Sequence, residues 1–324
     1  MFNLAGNRLT TILYHRFFFG EEPADRSRDR LKRQCEWLRR NFSPLSLQEA
    51  TRALETGQLP RRPLLITIDD AKIEILRIAD IFAEFELPIA VFVCVGWSAK
   101  ESPDEDSLLA RLVNEIEWYA GPVKSVQTSR GNITFGAGAV ETAKSIDLIL
   151  TEPHGMQSEL DSLLAGLQGG GIGNRRISCS WAELANLQAS GVAIGGHSVS
   201  HVNLAAASPQ RMSFEVSETH RILSEKFGSC DVFAYPYGMS GTFSSATTAQ
   251  MSEQGFRYAF LTHSDFADGN TDPLHLPRIS MPDRPMSQPE FCIRSEGAGV
   301  LYRKLKRSRS ILQRVEASRM PNYH

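Results

Sequence analysis

Short, uninterrupted runs of apolar residues constrain the fold of this chain more than any other feature. Leu64–Ile68 lies between Pro63 and an acidic pair, and Ile89–Val95 forms a second run. Runs without polar alternation are typical of strands that are buried on both faces, as in a parallel sheet. A predicted helix over 73–85 separates the two runs, so they form a right-handed strand-helix-strand unit. The sequence therefore predicts an α/β fold.

The same alternation continues along most of the chain. Further strands are predicted at 10–14, 192–194, 232–235, 256–262 and 276–280, and helices at 26–42, 46–57, 180–191, 208–227 and 244–255. Residues 98–177 break the pattern, with a predicted helix at 108–118 and hairpin-like sequence around 130–132. We interpret this stretch as an insertion that covers or walls the site. The predicted domain is 1–295, followed by a tail at 296–324.

Composition excludes several classes of protein. A net charge of −2 gives no reason to expect a nucleic-acid partner. The five cysteines occur singly with no CxxC pair, which predicts reduced, partly buried thiols. The N-terminus lacks the features of a signal peptide, and no run of 18 apolar residues occurs. These observations predict a cytoplasmic protein.

Polar residues follow two of the predicted strands. Asp69 and Asp70 come after the strand at 64–68, and Gly195-Gly196 leads into His197 and His201. Two adjacent aspartates alone are often only a helix N-cap, and two histidines four apart are common. Together they predict a catalytic metal site, because imidazoles and a carboxylate bind zinc while leaving positions open. The spacing of four predicts both rings on one side of a helical turn, and the glycines allow close backbone approach or a positive φ.

Five segments of the chain, in order, resemble the polysaccharide deacetylase (NodB-homology) family of metal-dependent carbohydrate esterases. They are TILYH, LLITIDDA, GGHSVSHVNL, FAYPYG and LPRI. The resemblance implies a distorted (β/α)7-like barrel that hydrolyses N-acetyl groups of amino sugars. The insertion is also similar to one found in members from surface-polysaccharide gene clusters.

The resemblance also implies roles for individual residues. Asp69 is expected to be the general base, Tyr237 to offer its backbone N–H to the oxyanion, and Ser198 to support the histidine loop. One divalent metal is expected, zinc first, with cobalt, nickel and manganese as alternatives. The implied ligands are Asp70, His197 and His201.

The chain departs from the family pattern at three places. Ala71 replaces the usual glycine after the aspartates, which restricts the backbone there, although an αR conformation would tolerate alanine. The arginine that often orients the base near the Pro-Tyr motif is absent, since Ala234 and Tyr235 occupy that region. No Leu-x-His motif supplies the general acid, which leaves His263 and His275 as candidates. The alternative for both histidines is a solvated loop position.

Several residues are candidates for contact with a sugar. His15 ends the first strand, where α/β barrels place their chemistry, although a structural role is equally consistent with that position. The alternative for the aromatic candidates is an ordinary position in the core, because burial of a large ring is favourable. The predicted substrate-binding residues are His15, Trp97, Tyr235 and Pro236.

The C-terminal tail is strongly basic. Between 303 and 314 it carries six basic residues and no acidic ones, interleaved with leucine and isoleucine. This pattern predicts a basic amphipathic helix on an anionic membrane surface, and the alternative is a frayed terminal helix. With the membrane interpretation, the protein is peripheral at the inner membrane face.

The leading hypothesis is a cytoplasmic, metal-dependent hydrolase of carbohydrate metabolism that deacetylates an N-acetylated saccharide, lipid- or nucleotide-linked, during surface-polysaccharide assembly. A second hypothesis is a catalytically degenerate member that binds glycan without turnover, motivated by the absent arginine and the unassigned acid. A third is a metal-dependent amidase that acts on a non-sugar C–N bond.

Overall fold

The fold is described from a computed structural model, which covers residues 5–18, 22–98, 123–128, 131–135, 177–303 and 306. Its strands are β1 (Thr10–Tyr14), β2 (Ser43–Pro44), β3 (Pro63–Ile68), β4 (Ile89–Val93), β5 (Lys124–Thr128), β6 (Gly131–Phe135), β7 (Ala193–Gly196), β8 (Val232–Ala234), β9 (Tyr258–Phe260) and β10 (Ile279–Ser280). Its helices are α1 (Ala24–Asn41), α2 (Leu47–Thr56), α3 (Ala79–Glu84), α4 (Trp181–Ala189), α5 (Pro209–Phe227), α6 (Ser245–Glu253) and α7 (Gln288–Ser295).

A curved parallel sheet organises these elements. Its strands follow the order β10-β1-β3-β4-β7-β8-β9, and β2 adds to β3. The segment 276–280 touches both edges, because Leu276 pairs with Phe260 of β9 while Ile279 pairs with Ile12 of β1. The sheet thus curls into the distorted α/β barrel that the sequence predicts. All of its strands run parallel, so their carboxyl ends share one rim.

The apolar strands are buried on both faces, as their composition predicts. Every residue of β3 and of β4 is buried. Ile66 packs in a large cluster that includes Leu31 of α1, whereas its neighbour Leu65 packs in a second cluster with Phe92 and Phe260. Alternate side chains therefore fill two separate cores, which fixes the strand register.

The predicted strands and most predicted helices are confirmed within a few residues. The helix predicted at 73–85 is a 3-10 turn (Ile73–Arg77) followed by α3. The strand predicted at 276–280 is regular only over β10, and α7 was not predicted. Ser180 and Glu183 form a capping box at the start of α4.

The predicted insertion is described only in part. Strands β5 and β6 form an antiparallel hairpin where hairpin-like sequence was predicted. The helix predicted at 108–118 lies outside the described residues, as does most of the tail, so the division at 295/296 stays a prediction. Across the described ranges, no helix is both long and apolar enough to cross a bilayer. All five cysteines are free, and four of them are buried.

Candidate metal centre and active site

Asp70, His197 and His201 converge at the rim of the barrel. Asp70 follows β3 and His197 follows β7, and one ligand atom from each of the three residues lies within 4.8 Å of the others. Asp70 Oδ1 is 3.4 Å from His197 Nε2 and 3.6 Å from His201 Nε2. All three side chains are buried. The two segments that the sequence pairs therefore meet at one point.

The loops that carry these ligands have an unusual backbone. Positive φ angles, between 49° and 71°, occur at Asp70, Ala71, Ser198, His201 and Tyr237, five of the seven such non-glycine residues among those described. Ala71 therefore does not have the αR backbone that would tolerate alanine most easily. The helical turn expected for the two histidines is also wrong, because an irregular loop with left-handed residues directs both rings inward. Such strain, costing roughly 1–3 kcal/mol per residue, is typical of functional sites.

The two glycines before His197 provide close packing. A Cβ atom on Gly195 would lie 2.6 Å from the Phe92 ring, and one on Gly196 would lie 2.6 Å from Thr219 Cγ2. Neither glycine has a positive φ. Of the two explanations that the sequence left open, close approach applies: β7 is held tightly between β4 and α5.

A buried glutamate on α5 anchors the histidine loop. Glu215 accepts hydrogen bonds from the backbone N–H of Val199 (2.7 Å) and of Ser200 (3.0 Å), and from Ser200 Oγ (2.6 Å). Arg211 Nη2 lies 2.6 Å from its carboxylate. Within the loop, the His201 N–H donates to Ser198 Oγ at 2.8 Å, which is the supporting role predicted for Ser198. Glu215 was not among the residues predicted from sequence motifs.

The donor set fits a divalent cation. His197 Nδ1 lies 2.7 Å from the Ala234 carbonyl oxygen, which can only accept, so Nδ1 carries the proton and the lone pair of Nε2 faces the cluster. Neither that Nε2 nor Asp70 Oδ1 has a normal hydrogen bond to any group that the structure describes, although both are buried. Buried polar atoms need partners, and an ion bound between these two would satisfy both.

The surroundings of Asp70 and His197 shift the pKa of both side chains. Burial acts to raise the pKa of Asp70, but Lys72 and the two histidines hold it well below its usual value. For His197, burial acts to lower the pKa, and the charges of Asp69 and Asp70 outweigh it, so the pKa is raised. The site thus keeps a carboxylate ionised inside the protein.

Asp69 is bound by a buried arginine. Arg278 Nη1 and Nη2 donate to its two carboxylate oxygens at 2.7 and 2.8 Å, and Arg278 Nε donates to the Leu261 carbonyl oxygen. The exposed fraction is 0% for Arg278 and 1% for Asp69. Burial acts to raise the pKa of Asp69, but Arg278, together with His197, lowers it. The arginine absent from the Pro-Tyr region is thus replaced by one in the segment that closes the barrel.

His15, like His197, lies beside Asp69. Its Nε2 is 4.0 Å from Asp69 Oδ2, and its Nδ1 is 3.9 Å from Asp283 Oδ2. Its side chain is 27% exposed, so it can face both the buried carboxylate and solvent. The structure therefore brings His15 to the site at the end of β1.

The two candidates for the general acid lie elsewhere. His275 is paired with Asp272 at 2.7 Å and packs against Phe243 on the side of α6. The His263 side chain is exposed, and only its backbone carbonyl approaches the site region, by accepting from the Arg278 N–H. Within the described ranges neither imidazole contacts Asp69, so the structure does not support either as the acid.

Three predicted sugar-binding residues are buried instead. Trp97 is 4% exposed and stacks on the His201 ring at 5.6 Å, and Tyr235 is fully buried beside Phe243. Pro236 is also buried. Their burial does not support a sugar-binding surface at these positions, so that expectation stays a prediction. Trp97 instead packs against His201, one of the three residues of the candidate metal site.

Tyr237 lies at the site, as predicted. Its ring meets the His201 ring edge-on at 4.7 Å, and its carbonyl oxygen accepts from Thr262 Oγ1 at 2.6 Å. These contacts fix the left-handed backbone at this position. The role of its backbone N–H stays a prediction.

Known proteins resemble this chain both in sequence and in fold. Residues 167–259, which include His197 and His201, match the family model described as polysaccharide deacetylase. No curated protein matches the sequence significantly. The fold is similar to the Streptococcus pyogenes deacetylase PplD in complex with acetate, with 15% identity and a TM-score of 0.58 over 89% of this chain and 98% of that one.

Two further solved structures share the fold. IcaB from Ammonifex degensii has 19% identity and a TM-score of 0.58, covering 90% of this chain and 98% of that one. A de-N-acetylase from Aggregatibacter actinomycetemcomitans has 12% identity and a TM-score of 0.55, covering 88% and 99%. The fold and the family-model match over residues 167–259 therefore agree with the resemblance of the five sequence segments to the polysaccharide deacetylase (NodB-homology) family.

Proposed function

We propose that this protein is a metal-dependent hydrolase that removes the N-acetyl group from an amino sugar of a surface polysaccharide or its lipid-linked precursor. The observation that carries the proposal is the convergence of Asp70, His197 and His201 beside an Asp69 carboxylate that Arg278 keeps ionised. The match of residues 167–259 to the polysaccharide deacetylase family model supports the reaction class and an acetylated saccharide as substrate.

The chemistry divides among residues of the chain. A divalent metal held by Asp70, His197 and His201, zinc by preference, would polarise the acetyl carbonyl and acidify water. Asp69 accepts a proton from the attacking water, whose oxygen bonds to the carbonyl carbon. Arg278 orients Asp69 and keeps it anionic for this step. The predicted Tyr237 N–H would hydrogen-bond the developing oxyanion, worth about 3 kcal/mol for a well-placed donor.

Breaking the C–N bond requires a proton for the departing amine. We assign this proton to His15, because it lies 4.0 Å from Asp69, is partly exposed, and has the Asp283 carboxylate on its other nitrogen. The products are acetate and a free sugar amine, so atoms and charge balance. Arg278 and His15 also argue against the hypothesis of a degenerate binding protein, which rested on a missing arginine and a missing acid.

Acetate release from N-acetylhexosamine oligomers, with and without zinc, tests the proposal. We expect Asp69→Asn and His197→Ala to abolish release, while His263→Gln, which replaces an exposed imidazole, retains it. Activity that survives in both site variants would refute the assignment. Release from small N-acyl compounds but from no sugar would favour the non-sugar amidase instead.

A comparison of histidine variants tests the general acid. We expect His15→Gln to lower kcat by about 10²–10⁴, the usual contribution of a positioned acid. His275→Gln serves as the matched control and should remain near the wild-type rate. The reverse pattern would assign the acid to His275.

We further propose that the tail binds an anionic membrane surface from the cytoplasmic side. Residues 298–303 are helical, and Leu301 and Tyr302 are 41% and 66% exposed directly before the basic run. Apolar side chains beside lysines and arginines match the chemistry of anionic headgroups. We expect sedimentation with phosphatidylglycerol vesicles but not with phosphatidylcholine vesicles, and loss of binding when 304–324 is deleted. Equal binding by the truncated protein would contradict the proposal.

A further inference from the structure

Lys72 lies against the proposed metal site, and the mechanism above does not use it. Its side chain is 5% exposed, and its Nζ lies 3.1 Å from Asp70 Oδ2. The other carboxylate oxygen, Oδ1, faces His197 and His201. One carboxylate is therefore shared between an ammonium group on one side and two imidazoles on the other.

The backbone fixes Lys72 in this place. After the left-handed residues Asp70 and Ala71, the chain pairs with 177–179: the Cys179 N–H donates to the Ala71 carbonyl at 3.0 Å, and the Ile73 N–H to the Ile177 carbonyl at 2.7 Å. Lys72 itself forms an antiparallel bridge with Ser178. This short pairing holds the Lys72 backbone beside the metal ligand, and its ammonium group is turned back toward Asp70.

We infer that Lys72 is an internal counter-ion that neutralises Asp70 when the site holds no metal and limits the affinity of the site for metal. The inference rests on the proposed metal site. A buried carboxylate without a partner is strongly destabilising, so the metal-free chain needs a cation at this position. The same cation repels a divalent ion bound at Oδ1, because charges a few ångströms apart interact strongly inside a protein.

The two effects are linked. Lys72 stabilises the metal-free fold more than the metal-loaded fold, so it must lower metal affinity by the same factor. By engaging Oδ2, it also leaves Asp70 a single oxygen for the metal. Removing the ammonium group should therefore make the empty protein less stable and the site bind more tightly.

Metal binding and thermal unfolding of the full chain test this inference. After stripping with a chelator, zinc is titrated in competition with a chromogenic chelator. We expect Lys72→Met to tighten the zinc Kd by about 10- to 100-fold, the usual range of coupling between two sites. Lys72→Arg keeps the charge and should remain within about threefold of wild type.

Unfolding of the metal-free proteins gives an independent readout. We expect Lys72→Met to lower the Tm by at least about 5 °C, and saturating zinc to restore most of the difference. In an Asp70→Asn background, where no carboxylate needs a counter-ion, Lys72→Met should not lower the Tm. If Lys72→Met folds only with zinc, the inference is supported; if it does not fold at all, Lys72→Gln takes its place in both measurements.

The outcomes separate the inference from the proposed function. If the wild-type chain binds no zinc, or His197→Ala binds it equally well, the metal site itself is wrong. If wild type binds zinc at His197 but the neutral Lys72 variant binds it equally or more weakly, only the counter-ion role is overturned. Tightening of the same size in Lys72→Arg would also overturn it, since the charge is retained there.

Discussion

Replacing Arg278 with methionine leaves the Asp69 carboxylate buried without its cation. In the wild-type protein the guanidinium donates to both carboxylate oxygens, to the Leu261 carbonyl and, at 3.3 Å, to Thr67 Oγ1. Methionine has a similar apolar stem and no donor, so all four interactions are lost. The effect should appear in stability and in catalysis.

The size of the effect follows from burial. Removing one partner of a buried ion pair typically costs about 3–5 kcal/mol, because the remaining charge stays unpaired. Arg278 and Asp69 are 0% and 1% exposed, so solvent offers little compensation. With Asp69→Asn in the same chain, no charge remains to be paired. We therefore expect the double variant to be more stable than the sum of the single effects predicts, by about 3 kcal/mol.

Urea denaturation of the wild type, both single variants and the double variant, all free of metal, measures this coupling. In parallel, the acid limb of the kcat/KM profile for Arg278→Met should move to higher pH. The sign follows because Arg278 lowers the pKa of Asp69, so its loss raises that pKa and protonates the base. Stability effects that add within about 0.5 kcal/mol, with an unmoved acid limb, would refute the pairing.

Three further perturbations have defined outcomes. Glu215→Gln should lower the free energy of unfolding by about 2–3 kcal/mol in urea, since hydrogen bonds to a charged group are lost, and should weaken zinc binding by the histidine loop. Gly196→Ala should cost about 1–3 kcal/mol through overpacking. Thr219→Ser, which removes the Cγ2 atom 2.6 Å from the new Cβ, should restore part of that loss in the double variant. For the metal-free protein, stability from Asp69 is complete above its unfolded pKa of about 3.9 and lost as pH falls through the lowered folded value, so acid unfolding of Asp69→Asn should be less steep.

The convergence of Asp70, His197 and His201 was predictable because its signal is local. Each ligand segment follows a predicted strand, and parallel strands place their carboxyl ends on one rim. The spacing of four between His197 and His201 correctly indicated that the two rings converge, but not through the helical turn that was predicted. The rings converge through left-handed residues at Ser198 and His201 and through the Glu215 anchor. Backbone conformation of this kind has no strong sequence signature outside glycine and asparagine.

The aromatic residues show what sequence alone could not decide. Trp97, Tyr235 and Tyr237 all lie near strand ends, and each type occurs both in cores and in sugar sites. Only the packing shows that Tyr235 is fully buried and that Trp97 covers His201. Similarly, His15, His263 and His275 all lie near the ends of predicted strands, but only His15 lies beside Asp69. The choice among them depends on distances that no local pattern encodes.

Arg278 pairs with Asp69 from a position that the family motif does not include. Comparison with the motif therefore missed it, although the need of a buried carboxylate for a cation could have predicted it. The family pattern often has an arginine before the Pro-Tyr motif, where Ala234 of β8 and Tyr235 stand in this chain. In the barrel, however, β9 pairs with β8, and Leu276 pairs with β9 in turn, so the segment carrying Arg278 is only two positions farther round the same wall. The single arginine in the mostly apolar segment from Leu276 to Met281 must be paired if it is buried. Since a buried general base needs a cation, and any neighbouring strand can supply one, the requirement belongs to the site rather than to a fixed position in the sequence.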